Sequence, residues 1–459
     1  MNNRFKNFIL AVIVCLQMYN SCYAIVDSPA NENKKIKLDV NQTRKLVSKI
    51  EFDKVCAKAI EHSYDLKIAD FNILISKQDI RGARSEYFPK LMLSAGTEYT
   101  KNFRDNRDTT VMSIGEAFIN PYTRYQSIMG ITLNYNLFDF GVRKGNLDIA
   151  KEDVSIKELE QAQKLQDLKL NLIDTYSKIV IAKKQIDINN EILKLQKENL
   201  NNKQRLFDAG EISKTELNDA NVKVQNIEKR IYELCSILSE SLNWLAFYTG
   251  DEYDINCLKA SDIKKSDFDT TSFCDYTKTI IWRIKEKELK KKEFEIKVAK
   301  RQNYPKVNTY GRYYVYGSNH SSYNDSLGDI RPSNFTVGAS VSMLAFDGMK
   351  NRANIQKKTL EYKQLQVERD KSIAEFAMKI AGMRSNLLYL EKQLETNNNI
   401  IKELTDKQKS THRLVAKKLA TPMDENDVTI ELLEQQIEQV KNSLTSVAIS
   451  KGLEVLTTY

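Results

Sequence analysis

Few residues in this chain of 459 are placed to do chemistry. Its three histidines, His62, His320 and His412, lie far apart, and none stands beside a nucleophile or at a ligand spacing. No phosphate-cradling glycine loop and no Gly-x-Ser-x-Gly occurs, so the sequence points to no enzyme activity, no cofactor and no metal. Four cysteines follow the first 24 residues: Cys56, Cys235, Cys257 and Cys274. No Cys-x-x-Cys or nearby histidine accompanies them, which argues against zinc. Cys257 and Cys274 flank a polar stretch that an exported protein could bridge, although spacing alone does not fix the pairing. The carboxylates Asp424 and Asp427 are better placed. They sit three residues apart at the start of a helix, on neighbouring faces. Asp424 is also the third helical residue after Thr421, where a carboxylate caps the N-terminus and meets the helix dipole.

The elements that would position these residues come in two copies. Phe88-Pro89-Lys90 recurs as Tyr304-Pro305-Lys306, an offset of 216, whereas Leu137-Phe138-Asp139 recurs as Ala345-Phe346-Asp347 and Leu206 as Leu414, both offset by 208. The copies therefore differ in length only before Phe138. An apolar residue falls at every seventh position through Leu165, Leu172, Ile179, Ile186, Leu193, Leu200 and Phe207. The second copy answers with Ile373, Ile380, Leu387, Leu394, Ile401, Gln408 and Val415, with one polar exception. A strict heptad marks a left-handed supercoiled helix, here a narrow apolar stripe on an otherwise wet rod. The two rods, 141–208 and 349–416, have equal length, about 100 Å each, and contain no proline. Each ends in a turn. Gly210 supplies a left-handed stop, and Ser213 with Glu216 forms a capping box for a return helix over 213–247. In the second copy Thr421 is the N-cap and Pro422 the first residue of a return helix over 421–458.

Upstream of each rod the period changes to alternation. Met129, Ile131, Leu133, Tyr135 and Leu137 oppose Gly130, Thr132, Asn134 and Asn136; Phe335, Val337, Ala339, Val341 and Met343 oppose Thr336, Gly338, Ser340 and Ser342. Companion strands are expected at Leu91–Tyr99 and Val307–Tyr316, giving strand pairs over 90–138 and 306–346. Strands of about ten residues with one apolar face suit a tilted membrane crossing. Four strands cannot close a barrel, and an open edge is forbidden in lipid, so other copies of the chain must complete the sheet. The polar segments 101–126 and 317–334 read as loops.

Arg4 and Lys6, the apolar run Phe8–Met18 and Ser21-Cys22-Tyr23-Ala24 predict a signal peptide over 1–24. Cys22 opens a lipoprotein reading, against which the preceding Tyr19-Asn20-Ser21 stands. A polar segment 25–50 follows, then a first repeat over 51–247 opening with a helix to about Tyr87, a linker 248–271 and a second repeat over 272–459. Charged residues make up 29% and mean hydropathy is −0.49, which excludes a bundle of membrane helices. Loss of Arg4 and Lys6 would lower the net charge from +9 to about +7. The densest basic run, Lys285 to Arg301, is interleaved with Glu286, Glu288, Glu293 and Glu295, a solvated helix face and not a nucleic-acid site.

The strand-to-helix junctions Leu137-Phe138-Asp139-Phe140-Gly141 and Ala345-Phe346-Asp347-Gly348, with the turn Gly210-Glu211-Ile212-Ser213 and Leu217-Asn218-Asp219-Ala220, resemble the TolC family of outer-membrane efflux and secretion channels. The resemblance implies an α+β, mainly α fold: a homotrimer whose four strands per subunit form a twelve-stranded β-barrel continuous with a coiled-coil α-helical barrel. It implies the outer membrane of a Gram-negative bacterium, in contact with its lipid and extending into the periplasm. It implies a passive exit duct of a tripartite efflux pump or type I secretion system, opened by a periplasmic adaptor and an inner-membrane transporter. The same resemblance makes Asp424 and Asp427 a ring of gate carboxylates; for Asp424 cap and gate are compatible. Repeat-one gate partners would be Thr215, Glu216 and Asp219. The adaptor would grip the tips at Leu206, Gly210, Ile212, Ser213, Leu414, Leu419 and Thr421. The chain departs from the family at its second turn, where Lys418 replaces a glycine and Ala420 a latch arginine; Lys417 or Lys418 could serve instead. Two rivals are a periplasmic adaptor, which normally has one helical hairpin, and an exported structural coiled coil, which would need no alternating strands.

Overall fold

The computed structural model describes residues 46–47, 49–101, 112–114, 117–119, 125–253, 259–262 and 275–457. The signal segment, Cys22, Cys257, Cys274 and most of the expected loop 101–126 lie outside them. In chain order the elements begin with β1 (Leu46–Val47), β2 (Lys49–Ile50), α1 (Phe52–His62), α2 (Tyr64–Ser85), β3 (Lys90–Tyr99), β4 (Met112–Ile114), β5 (Ala117–Ile119) and β6 (Tyr125–Phe138). Then come α3 (Val142–Asp208), α4 (Lys214–Thr249), β7 (Glu252–Tyr253), β8 (Lys259–Ala260) and α5 (Ile280–Arg301). The chain continues with β9 (Lys306–Asn319), α6 (Tyr323–Gly328), β10 (Arg331–Ser342), α7 (Lys350–Ala416) and α8 (Pro422–Thr457).

Residues 75–153 and 290–362 form one compact unit, built on a four-stranded antiparallel sheet in the order β10-β9-β6-β3. The alternating residues set the register: Leu93 faces Ile131, Ile131 faces Tyr313, and Tyr313 faces Phe335. Gly130 leaves the hole that the Tyr314 ring fills, and Gly338 does the same for Tyr310. Two expectations change. The last strand stops at Ser342, short of 346, and the segment 317–334 is not a plain loop. It carries α6, capped by Ser322, and Ser326 of this helix bonds Ser127 at 2.7 Å.

The junction motif explains itself in the backbone. Phe140 and Gly141 have φ of 56° and 85°, and Gly348 and Met349 have φ of 66° and 71°. Two successive left-handed residues thus turn the chain from strand into rod, with glycine second in one copy and first in the other. The aspartate before them caps the rod: Asp139 accepts from the N–H of Arg143 at 3.0 Å, and Asp347 from that of Asn351 at 2.7 Å. Arg143 adds an ion pair to Asp139 at 2.9 Å and lies over the Tyr87 ring.

The other unit comprises 39–74, 154–289 and 363–459. The rods α3 and α7 are each 67 residues long and the return helices α4 and α8 each 36. The expected single helix 51–87 is broken at Ser63, whose hydroxyl accepts the N–H of Leu66 and restarts the helix as α2. The two rods are not equally wet. In α7 a narrow stripe is buried, with Phe376, Ile380, Leu387 and Leu404 inside. Around 172–182, by contrast, α3 is enclosed on nearly every side. Leu172, Tyr176, Ile179, Val180 and Ala182 form a core with Ile50, Val55, Ala59, Leu238, Leu242 and Leu245. The parallel pairs β1-β7 and β2-β8 lie in this unit, and the Tyr176 hydroxyl bonds the carbonyls of Ile50 and Ser261. The heptad could not reveal this cover, because it arrives from other elements: α1, α4 and the two-residue strand β2, which carries Ile50.

Candidate functional site

At the tips both rods end in the same hydrogen-bonded stop, in which the third residue past the helix bonds back five residues and the second bonds back three. Glu211 bonds the Leu206 carbonyl and Gly210 that of Phe207; Leu419 bonds Leu414 and Lys418 bonds Val415. Gly210 has φ of 80° with open space where a side chain would project, whereas Lys418 adopts φ of 62° with a full side chain. The return helices are capped differently. Ser213 accepts from the Glu216 N–H at 3.2 Å. Asp424 closes a reciprocal box on Thr421, accepting from its N–H at 2.8 Å and its hydroxyl at 2.7 Å. Those two bonds hold the Asp424 carboxyl below its usual range.

Asp427 projects from the next turn of α8 and accepts from the Asn199 amide of α3 at 3.0 Å, while Asn426 donates to Asn199 at 2.9 Å. Asn199 is buried, a polar side chain beside the heptad position Leu200. Its position next to an apolar seam was the available signal, and sequence reasoning passed over it. His412 meets Glu425 at 2.7 Å and Lys407 meets Glu431 at 2.8 Å, joining α7 to α8. Thr215, Glu216 and Asp219 stand in the first turns of α4. Among the described residues no hydrogen bond or ion pair joins them to Asp424, Asp427, Lys417 or Lys418. Leu414 and Leu419 are exposed, Leu419 to 72%; Gly210, Ser213 and Thr421 are also exposed, and Leu206 and Ile212 are half-buried.

The sheet is the second candidate element, because its two faces differ in kind. One face carries Leu91, Leu93 and Ala95 of β3, Met129, Ile131 and Leu133 of β6, Tyr313 and Val315 of β9, and Phe335, Val337 and Val341 of β10. No charged residue stands on it. Aromatic clusters bound this face. Tyr125 packs on Tyr99 and Tyr323 at 5.0 and 4.8 Å, and Phe140 packs on Phe138 and Tyr304 at 4.7 and 5.4 Å. The fourteen residues from Tyr125 to Phe138, tilted by about 45°, span roughly 30 Å, the thickness of a bilayer's hydrocarbon core. No described helix is long and apolar enough to cross a membrane.

The sequence model of the outer membrane efflux protein family matches residues 55–251 and 285–457. This chain belongs to that family. Its place is therefore the outer membrane and its class that of channel-forming efflux proteins, with the mainly helical fold and tandem repeat the sequence suggested. Solved structures agree on the fold. VceC, an outer membrane protein of Vibrio cholerae, is 13% identical with a TM-score of 0.71 over 88% of this chain and 96% of its own. The CmeC outer membrane channel of Campylobacter jejuni is 14% identical with a TM-score of 0.70, covering 88% and 86%. The MtrE outer membrane channel of Neisseria gonorrhoeae, in its open state, is 14% identical with a TM-score of 0.70, covering 88% of each chain. No curated protein sequence matches at the same level of significance.

Proposed function

We propose that this chain is the protomer of a homotrimeric outer-membrane duct, the passive exit of a tripartite efflux pump or type I secretion system. The observation that carries the reading is a sheet with an uncharged face, aromatic borders and two free edges. β3 and β10 have no further partner among the described strands, and exposed strand edges are not tolerated in lipid. Pairing β3 of one copy with β10 of the next is a heterologous contact that closes into a ring, and three copies give the twelve strands that the family resemblance implies. An adaptor needs one hairpin and an exported coiled coil needs no such sheet, so neither rival accounts for this pattern.

The tips are the proposed docking and gating elements. Leu414 and Leu419 offer exposed apolar side chains where the rods end, a fit for a periplasmic adaptor that recruits an inner-membrane transporter. Three copies of Asp424 and Asp427 would bring six carboxylates to a narrow mouth, a constriction that favours cations. Asp424 serves as cap in the same position, so the two roles coexist. No step calls for a cofactor or a reacting side chain, and the duct is no enzyme. Chemical crosslinking of purified protein in detergent tests the assembly: products should stop at three subunits. A dominant monomer or dimer would remove the basis for the barrel.

A further inference from the structure

The charged residues of the sheet are all on the other face. By register and alternation Lys90 and Glu98 of β3, Lys306 and Arg312 of β9 and Arg331 of β10 share it with Thr132, Asn134 and Asn136 of β6. Four cations against one carboxylate leave three positive charges per chain. Lys90, Lys306 and Arg331 meet no carboxylate among the described residues. Arg312 lies over the Tyr310 ring at 4.2 Å, and Tyr310, Arg312, Tyr314 and Tyr316 alternate along β9, so guanidinium and rings form one ladder.

We propose that this face is an anion-binding track lining the barrel, on which the cations attract the carboxylate, sulfonate or phosphate groups of organic anions and the tyrosine ladder receives their flat rings. The inference rests on the channel reading above, which turns this face to the lumen. Twelve strands about 4.8 Å apart and tilted by about 45° put the backbone roughly 13 Å from the axis. Side chains reaching about 6 Å inward bring their charge within about one Debye length, ~8 Å at physiological salt, of everything that passes. Rings of arginine and lysine select anions in pores, and walls of low dielectric focus their field. Such a track opposes the carboxylates proposed for the mouth, so the duct would hold two filters of opposite sign.

The test is made on the intact trimer in planar bilayers, with Asp424→Asn and Asp427→Asn present so that the mouth does not mask the barrel. In a potassium chloride gradient the reversal potential should report anion preference, and a trisulfonated naphthalene should block from the barrel side more strongly than inorganic sulfate. Arg312→Gln should remove the anion preference and weaken the block roughly tenfold. Because Arg312 is partly enclosed, Lys306→Gln with Arg331→Gln serves as the second variant and should act in the same direction. Channels that conduct with unchanged selectivity and block in both variants would overturn the track while leaving the duct intact. Correctly assembled trimers that do not conduct at all would overturn both.

Discussion

At the scale of single residues, the two faces of the sheet make opposite demands. Leu133 and Val341 stand on the uncharged face, and an arginine there should cost about 2 to 4 kcal/mol near the bilayer midplane. Ser340 stands exposed on the charged face and should accept arginine with little loss. Thr132, the obvious companion on that face, is a poor control. It is buried and its hydroxyl pairs with the Tyr314 hydroxyl at 3.2 Å, so a large side chain there displaces a ring. Urea unfolding of the protein folded into lipid checks the difference; equal losses at Leu133 and Ser340 would refute the assignment of faces. Asp424 carries a pH consequence. Its folded carboxyl is held low by Thr421, so the cap is fully present above the ordinary aspartate range and is lost only as pH falls through the lower folded value. Hydrogen exchange at the start of α8 should therefore stay slow at mildly acidic pH in the parent and be fast at every pH in Asp424→Ala. Alternation alone made the faces legible in the sequence. The Asn199 bond to Asp427 was not, since no pattern within α3 says which residue of α8 will face it.

At the scale of elements, the turns were readable because their chemistry is local. Gly210, Ser213 and Thr421 act within five residues of themselves, and their roles follow from backbone groups that must be satisfied. Asp139 caps α3 just as locally, a role that its place in a repeated motif did not disclose. The second turn keeps the geometry of the first without its glycine, so Lys418 bears the left-handed strain. Lys418→Gly should raise the local stability of the tip by about 1 kcal/mol, read as slower amide exchange at Lys418 and Leu419. No change would mean that the lysine side chain is held by a compensating contact. What the sequence concealed at this scale was nonlocal: the break at Ser63 inside a good helical pattern, the helix in segment 317–334, and the cover over Tyr176. A single stretch of sequence reports its own periodicity and not what will pack on it.

At the scale of the whole molecule, the governing quantity is equality. The rods match at 67 residues and the return helices at 36, although the copies differ before Phe138. Deleting the heptad Ile179–Gln185 should uncouple the tips of the two copies and abolish export. Deleting Leu387–Gln393 as well restores equal length and should recover part of it, beyond what the damaged core of α3 allows in the single deletion. Export by the single deletion equal to that of the pair would mean that length is not constrained. The doubled offset made this legible from sequence, with no knowledge of packing.

The unequal covering of the rods has a consequence for how the molecule is made. The enclosed stretch of α3 has its partners within its own chain, and its core can close at a rate independent of concentration. Val367, Met378, Tyr389 and Ile400 on α7 remain exposed, each eleven residues from the last. An eleven-residue spacing keeps such a stripe nearly straight along a helix, and in a trimer a neighbour would cover it. Closing it would then be a second-order event, slower as the chain becomes scarcer. The molecule would thus close in two steps of different order: the enclosed stretch of α3 with partners from both copies of its own chain, Leu242 and Leu444 among them, and the stripe on α7 only on meeting a neighbour.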